Sequence, residues 1–109
     1  MTKKQIGKNS SKEVTSFNYE RLFDLSGKVA VVTGGVGILG QHFCAGLAAS
    51  GACVALIDIQ DEKVNEAANM LSKSYGVKAI GYSCDVSDAV SVKRTVDKII
   101  KDFGTIDIL

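Results

Sequence analysis

Three short apolar runs, VAVV (29–32), CVALI (53–57) and KAIGYSC (78–84), alternate with stretches that repeat apolar residues at helical spacing. That alternation constrains the fold more than any other feature of the chain. Runs that are mostly apolar, rather than apolar at every second position, suit strands covered on both faces. Residues 38–50 fit a helix with Leu39, Phe43, Leu47 and Ala48 on one face. Residues 61–75 fit a second, with Val64, Ala67, Ala68, Leu71 and Tyr75 in line, and residues 88–103 a third, with Val92, Val96, Ile99, Ile100 and Phe103. Gly51, Gly76 and Gly104 follow the helices as stops. Ser87 stands where an N-cap of the third helix would be. IDIL (106–109) opens a fourth strand. The order β-α-β-α-β-α-β implies right-handed crossovers and a parallel sheet, an α/β architecture.

The link between the first strand and the first helix is rich in glycine: VVTGGVGILGQ, residues 31–41. Gly35, Gly37 and Gly40 fit GxGxxG directly after a strand and at the opening of a helix, the context in which that pattern carries meaning. A tight turn favours glycine's freedom in φ, and a Cβ would keep the backbone away from a pyrophosphate. The helix N-terminus adds unpaired N–H groups and partial positive charge. Asp58 ends the second strand, 18 residues after Gly40, with Ile59 beside it. A carboxylate there can accept both hydroxyls of an adenosine ribose and repels a 2′-phosphate. No Lys or Arg lies within residues 34–41 or immediately after Asp58, so the cofactor expected is NAD in preference to NADP. Asp85 ends the third strand, where ligands of parallel sheets gather, and can reach an adenine edge; as a turn residue it needs no ligand at all.

Composition closes off other classes. The net charge of +1 gives no support for nucleic-acid binding, and no apolar run approaches the roughly 20 residues of a membrane span. Cys44, Cys53 and Cys84 sit in apolar segments, odd in number and without metal-site or CxxC spacing. They read as small buried hydrophobes in a reducing compartment. His42, the only histidine, falls on a polar helix position. The lysine-rich start has neither an apolar signal core nor arginine before residue 21, so the expected location is the cytoplasm. Residues 1–22 read as a polar, disordered tail ahead of a domain over 23–109, although Phe17, Tyr19, Leu22, Phe23 and Leu25 offer apolar side chains for packing. Ser26-Gly27 reads as a turn.

LSGKVAVVTGG, the acid of VALID, CDVSD and FGTIDIL together resemble the short-chain dehydrogenase/reductase family, from about Phe23 to Leu109. The resemblance implies the first half of a Rossmann-like, doubly wound domain that binds NAD(P) and carries hydride to or from alcohols and ketones, possibly of sugars or sugar acids. It puts Gly34 and Gly40 in the outer places of TGxxxGxG and Leu39 beside the cofactor. Asp58 takes the ribose-binding place, and Asp85 with Val86 borders adenine. The middle glycine of that pattern falls on Ile38, with Gly37 one residue early. The resulting TGxxGxxG resembles extended members of the family, and some related to sugar-acid oxidoreductases.

The resemblance also implies a Ser and a Tyr-x-x-x-Lys pair for proton transfer. None of Tyr19, Tyr75 and Tyr82 has lysine four residues on, so no catalytic residue is expected among these 109. The expected sheet is 3-2-1-4, truncated after the start of its fourth strand, with an exposed apolar edge at IDIL. Weak adenine-nucleotide binding without turnover is expected of such a chain. Three readings stay open: the nucleotide-binding half of an oxidoreductase whose full-length relatives are usually homo-oligomers, a non-catalytic module for a nucleotide or partner chain, and a truncated product without activity.

Overall fold

The computed structural model describes residues 22–109. The expected tail therefore lies outside the described residues but for Leu22. Phe17 and Tyr19, expected to pack, lie outside the described residues; of the others Leu22 and Phe23 are exposed and Leu25 is half-buried. A turn at Ser26-Gly27, closed by the Lys28 N–H on Leu25 O at 2.9 Å, leads into the first strand.

Six elements follow: β1 (Val29–Thr33), α1 (Ile38–Ala49), β2 (Cys53–Asp58), α2 (Asp61–Tyr75), β3 (Ala79–Ser83) and α3 (Ala89–Phe103). The strands are parallel in the order β1-β2-β3, with Val29 opposite Cys53 and Val54 opposite Ala79. β3 is shorter at both ends than the apolar run that announced it. The fourth strand is reduced to one parallel bridge, Ala30 to Ile108, on the edge of β1 away from β2. There the Val31 N–H donates to Ile108 O at 2.8 Å, and the Asp107 carboxylate accepts from the Val29 N–H at 2.9 Å. A side chain thus takes the place that a further ladder bond would have. The expected order 3-2-1-4 is kept in space.

Alternation along β2 builds two core layers. Val54 and Leu56 point to one face, where Cys44 and Ala48 of α1 and Val64, Ala68 and Leu71 of α2 cover them. Ala55 and Ile57 point to the other, with Val31, Tyr82, Cys84 and Ile99 of α3. Helices on both faces make the sheet doubly wound. Gly76 and Gly104 close α2 and α3 in the left-handed conformation, as their positions in sequence suggest.

Three helix details differ from the sequence reading. On α1 the buried residues are Gly40, Cys44 and Ala48, while Leu39 and Phe43 are 68% and 59% exposed. Of the expected stripe, Ala48 is buried and Leu47 is half-buried against the core, whereas Gly40 and Cys44 take the inward places expected of Leu39 and Phe43, Gly40 because it packs on Gly34 too closely for a side chain. On α3 the buried residues are Thr95 and Ile99, with Val96 and Ile100 turned outward. The Thr95 hydroxyl donates to Ser91 O at 2.9 Å, which removes the cost of burying it. Asp88, not Ser87, caps α3, its carboxylate accepting from the Val90 N–H at 3.1 Å. Ser87 is instead committed to Asp85.

The three cysteines are free, Cys44 and Cys84 buried and Cys53 half-buried, and His42 is exposed. Among the described residues, no group of three or more His, Cys, Asp or Glu side chains is placed to hold a metal ion. No helix among them is long and apolar enough to cross a membrane.

Candidate functional site

The turn between β1 and α1 starts with Gly34 at φ +68°, a conformation that L side chains rarely adopt. Its carbonyl then accepts from the Gly37 N–H at 3.0 Å, and the Gly35 N–H reaches across to Ile57 O, also at 3.0 Å. Gly40 packs on the turn from inside the helix. A Cβ on it would lie 2.0 Å from Gly34 O, so only glycine allows this approach. Gly35 is buried against Leu56. The glycines therefore first serve the packing of their own loop, and that packing brings the N-terminus of α1 to the carboxyl end of β1.

That N-terminus is left unfilled by the protein. Gly37 is the N-cap, with no side-chain hydrogen bond and no acid in the first turn. By contrast, α2 begins with Asp61 and Glu62, and α3 is capped by Asp88. The partial positive end of α1 is free to face an anion. Ile38 and Leu39 flank it and are exposed.

Asp58 lies at the adjacent strand end and is half-buried. Its Oδ2 accepts from the Val36 N–H at 3.4 Å and its Oδ1 from the Gln60 N–H at 3.1 Å. Further lone pairs remain on both oxygens to accept hydroxyl protons. Asp85, at the end of β3, is exposed. Its Oδ1 accepts from the Ser87 hydroxyl at 2.6 Å and the Ser87 N–H at 3.0 Å. Those bonds, the hydroxyl's first, hold the Asp85 carboxyl below the ordinary range.

A shallow open depression of about 270 Å³ joins Gly34, Asp58, Ile59, Asp85 and Val86. It lies across the carboxyl ends of the parallel strands, the place where such sheets take ligands. Five of the ten residues singled out from the sequence thus share one surface. Gly37, Ile38 and Leu39 do not line it but are exposed at the start of α1, and Gly35 and Gly40 are buried in the turn. Ile57 and Cys84 line it as well, though the sequence marked them only as apolar core. Their one signal was position, each directly preceding an aspartate. Gln41 is a further residue missed, and its side chain holds Val36 O at 2.8 Å. A larger hollow of about 510 Å³ opens between α1 and α2, over Cys44, Leu56 and Met70. Of the ten residues it touches only Gly35.

A doubly wound parallel sheet, a glycine turn feeding the first helix and a carboxylate at the second strand's end define a Rossmann-like fold. Residues 28–109 match the family model of the short chain dehydrogenases, and the chain belongs to that family. It is 45% identical over 87 residues to a sorbose reductase of Candida albicans, an alignment covering 80% of this chain and 31% of that protein. It is 42% identical over 89 residues to an NADP-dependent mannitol dehydrogenase of Hypocrea jecorina, covering 79% and 34%. Among solved structures, an NAD⁺-bound xylitol dehydrogenase superposes with a TM-score of 0.73 at 38% identity, covering 76% of this chain and 32% of that one. The chain spans about a third of the length of these three proteins.

Proposed function

We propose that residues 23–109 are the adenine-nucleotide-holding part of an NAD-dependent oxidoreductase acting on an alcohol or ketone carbon of a sugar, sugar acid or polyol. The nicotinamide, when bound, supplies the hydride acceptor or donor. The residues of this chain bind and orient. Gly34, Gly35, Gly37 and Gly40 shape the turn that brings the α1 N–H groups to a pyrophosphate, beside Ile38 and Leu39. Asp58 accepts the ribose hydroxyls, with Ile59 next to it, and Asp85 and Val86 border the adenine. Sorbose, mannitol and xylitol in the names of the matching proteins support the substrate class. Three free thiols suit the cytoplasm. Tyr-x-x-x-Lys does not occur in these 109 residues, so nucleotide binding, not turnover, is the activity to measure.

The observation that carries the reading is Asp58, held beside the glycine turn by the Val36 N–H with no Lys or Arg lining the depression. Matching proteins use either cofactor, so the 2′ position is the discriminating point. A carboxylate there repels a 2′-phosphate. Calorimetric titration with ADP and with 2′-phospho-ADP tests this. ADP is expected to bind at least about tenfold more tightly, a difference of about 1.4 kcal/mol. Asp58→Asn should narrow the gap. Equal or tighter binding of the 2′-phosphate would overturn the NAD assignment.

A further inference from the structure

The peptide joining Val36 to Gly37 is held at both ends. Its carbonyl accepts from Gln41 Nε2 at 2.8 Å, and its N–H, on Gly37, donates to Gly34 O at 3.0 Å. The peptide before it turns its N–H, on Val36, toward Asp58 Oδ2 at 3.4 Å. Gln41 stands in the first turn and a half of α1 with its side chain folded back over the turn.

We infer that Gln41 is a positioning residue for the ribose site: by holding the Val36 carbonyl, it keeps the loop where the Val36 N–H can orient the Asp58 carboxylate. This rests on the nucleotide-binding reading above. Glycines on either side of Val36 let that peptide rotate, and Gln41 supplies the one side-chain bond that opposes rotation on its carbonyl side. If the Val36 unit turns, Asp58 keeps only the Gln60 N–H on Oδ1 and can pivot about it. The 2′-hydroxyl of an adenosine ribose then meets a carboxylate that must be ordered at the moment of binding, which costs affinity. Gln41 is exposed, so a water can replace its donor and the fold itself loses little.

The test compares ADP with 2′-deoxy-ADP on the full chain, in the wild type and in Gln41→Met, which keeps length but has no N–H. One hydrogen bond to an oriented carboxylate predicts a wild-type preference for ADP of about fivefold or more. Gln41→Met should lose most of that preference while its affinity for 2′-deoxy-ADP stays within about twofold. The Val36 and Gly37 amide resonances should shift with it. Gln41→Glu, ionised and unable to donate, is the second variant and should behave alike. Retention of the full preference in both variants overturns the inference, as does an equal loss for both ligands, which marks a merely structural role. A wild type that binds both ligands equally also overturns it, by removing Asp58 from the 2′-hydroxyl. A wild type that binds neither overturns the nucleotide-binding reading itself, and the inference falls with it.

Discussion

Gly40→Ala tests whether the close approach of α1 to its own entry turn holds this fold together. An alanine Cβ at position 40 would lie 2.0 Å from Gly34 O, 2.9 Å from Gly34 C and 3.2 Å from Gly35 Cα. Real Cβ atoms essentially never come within 3.0 Å, so helix and turn must separate by about 1 Å. The atoms in the way are backbone and cannot swing aside as a side chain would. Overpacking of this kind costs about 1–3 kcal/mol, with the rigid case toward the upper end. The substitution also gains about 1 kcal/mol of helix propensity. The net expectation is a loss of about 1–2 kcal/mol, a melting temperature lower by roughly 5–15 °C for a domain of this size. Gly46, on the same helix, is exposed, and a Cβ added there would meet nothing within 4 Å. Gly46→Ala therefore isolates the propensity term and should raise the melting temperature by a few degrees. Thermal unfolding followed by circular dichroism on the two variants reads the difference directly. A Gly40→Ala protein as stable as Gly46→Ala would refute the packing argument.

Gly37 separates folding from binding. Its φ of −71° suits any residue, and a Cβ would come no nearer than 3.4 Å to Gly34 O. Gly37→Ala should change stability by less than about 1 kcal/mol, the scale of an N-cap change. It should nevertheless weaken ADP binding about tenfold or more, because the new methyl lies where a pyrophosphate must approach; unchanged affinity by calorimetry would place the phosphates elsewhere. Alkaline pH should also expose the core. Burial pushes the Cys44 thiol from 9.0 up to about 11, and burial together with the hydrogen bond to Asp102 at 2.6 Å pushes the Tyr82 phenol well above its ordinary range. Both groups hold their protons more tightly in the fold, so the Cys44 contribution is complete below about pH 9 and is lost as pH rises toward 11, while the Tyr82 contribution is complete below about pH 10 and is lost above it, with a limiting slope of about 1.4 kcal/mol per pH unit for each group. Urea midpoints should be flat from pH 7 to about 8.5 and then fall, less steeply in Cys44→Ala; a midpoint that rises above pH 9 would contradict the sign.

Much of this protein was legible in its residues. The elements could be placed because continuous apolar runs and 3.6-residue stripes are one-dimensional patterns, and each helix carries its own stop at Gly51, Gly76 or Gly104. The meeting of five of the candidate site residues on one surface was legible for the same reason. Gly34, Asp58 and Asp85 occupy fixed offsets from strand ends, and a parallel sheet brings strand ends together whatever else the chain does.

What the sequence could not rank were competing stripes on one helix. On α1, Leu47 and Ala48 of the expected line pack inward, yet Leu39 and Phe43 give way to the smaller Gly40 and Cys44. The choice depends on the distance of closest approach, which the contact of Gly40 with Gly34 sets in three dimensions. On α3 a threonine displaced a valine from the core because its hydroxyl had a carbonyl one turn back. Asp88 rather than Ser87 capped that helix because Asp85 had already engaged the serine. The brace of Gln41 on Val36 belongs to the same group. Hydrophobicity and local spacing are properties of a sequence, and they determined the elements, their order and which residues stand at the strand ends. Distances between backbones arise only when the elements meet, and they decided which face of each helix is buried and which side chains hold the site in shape.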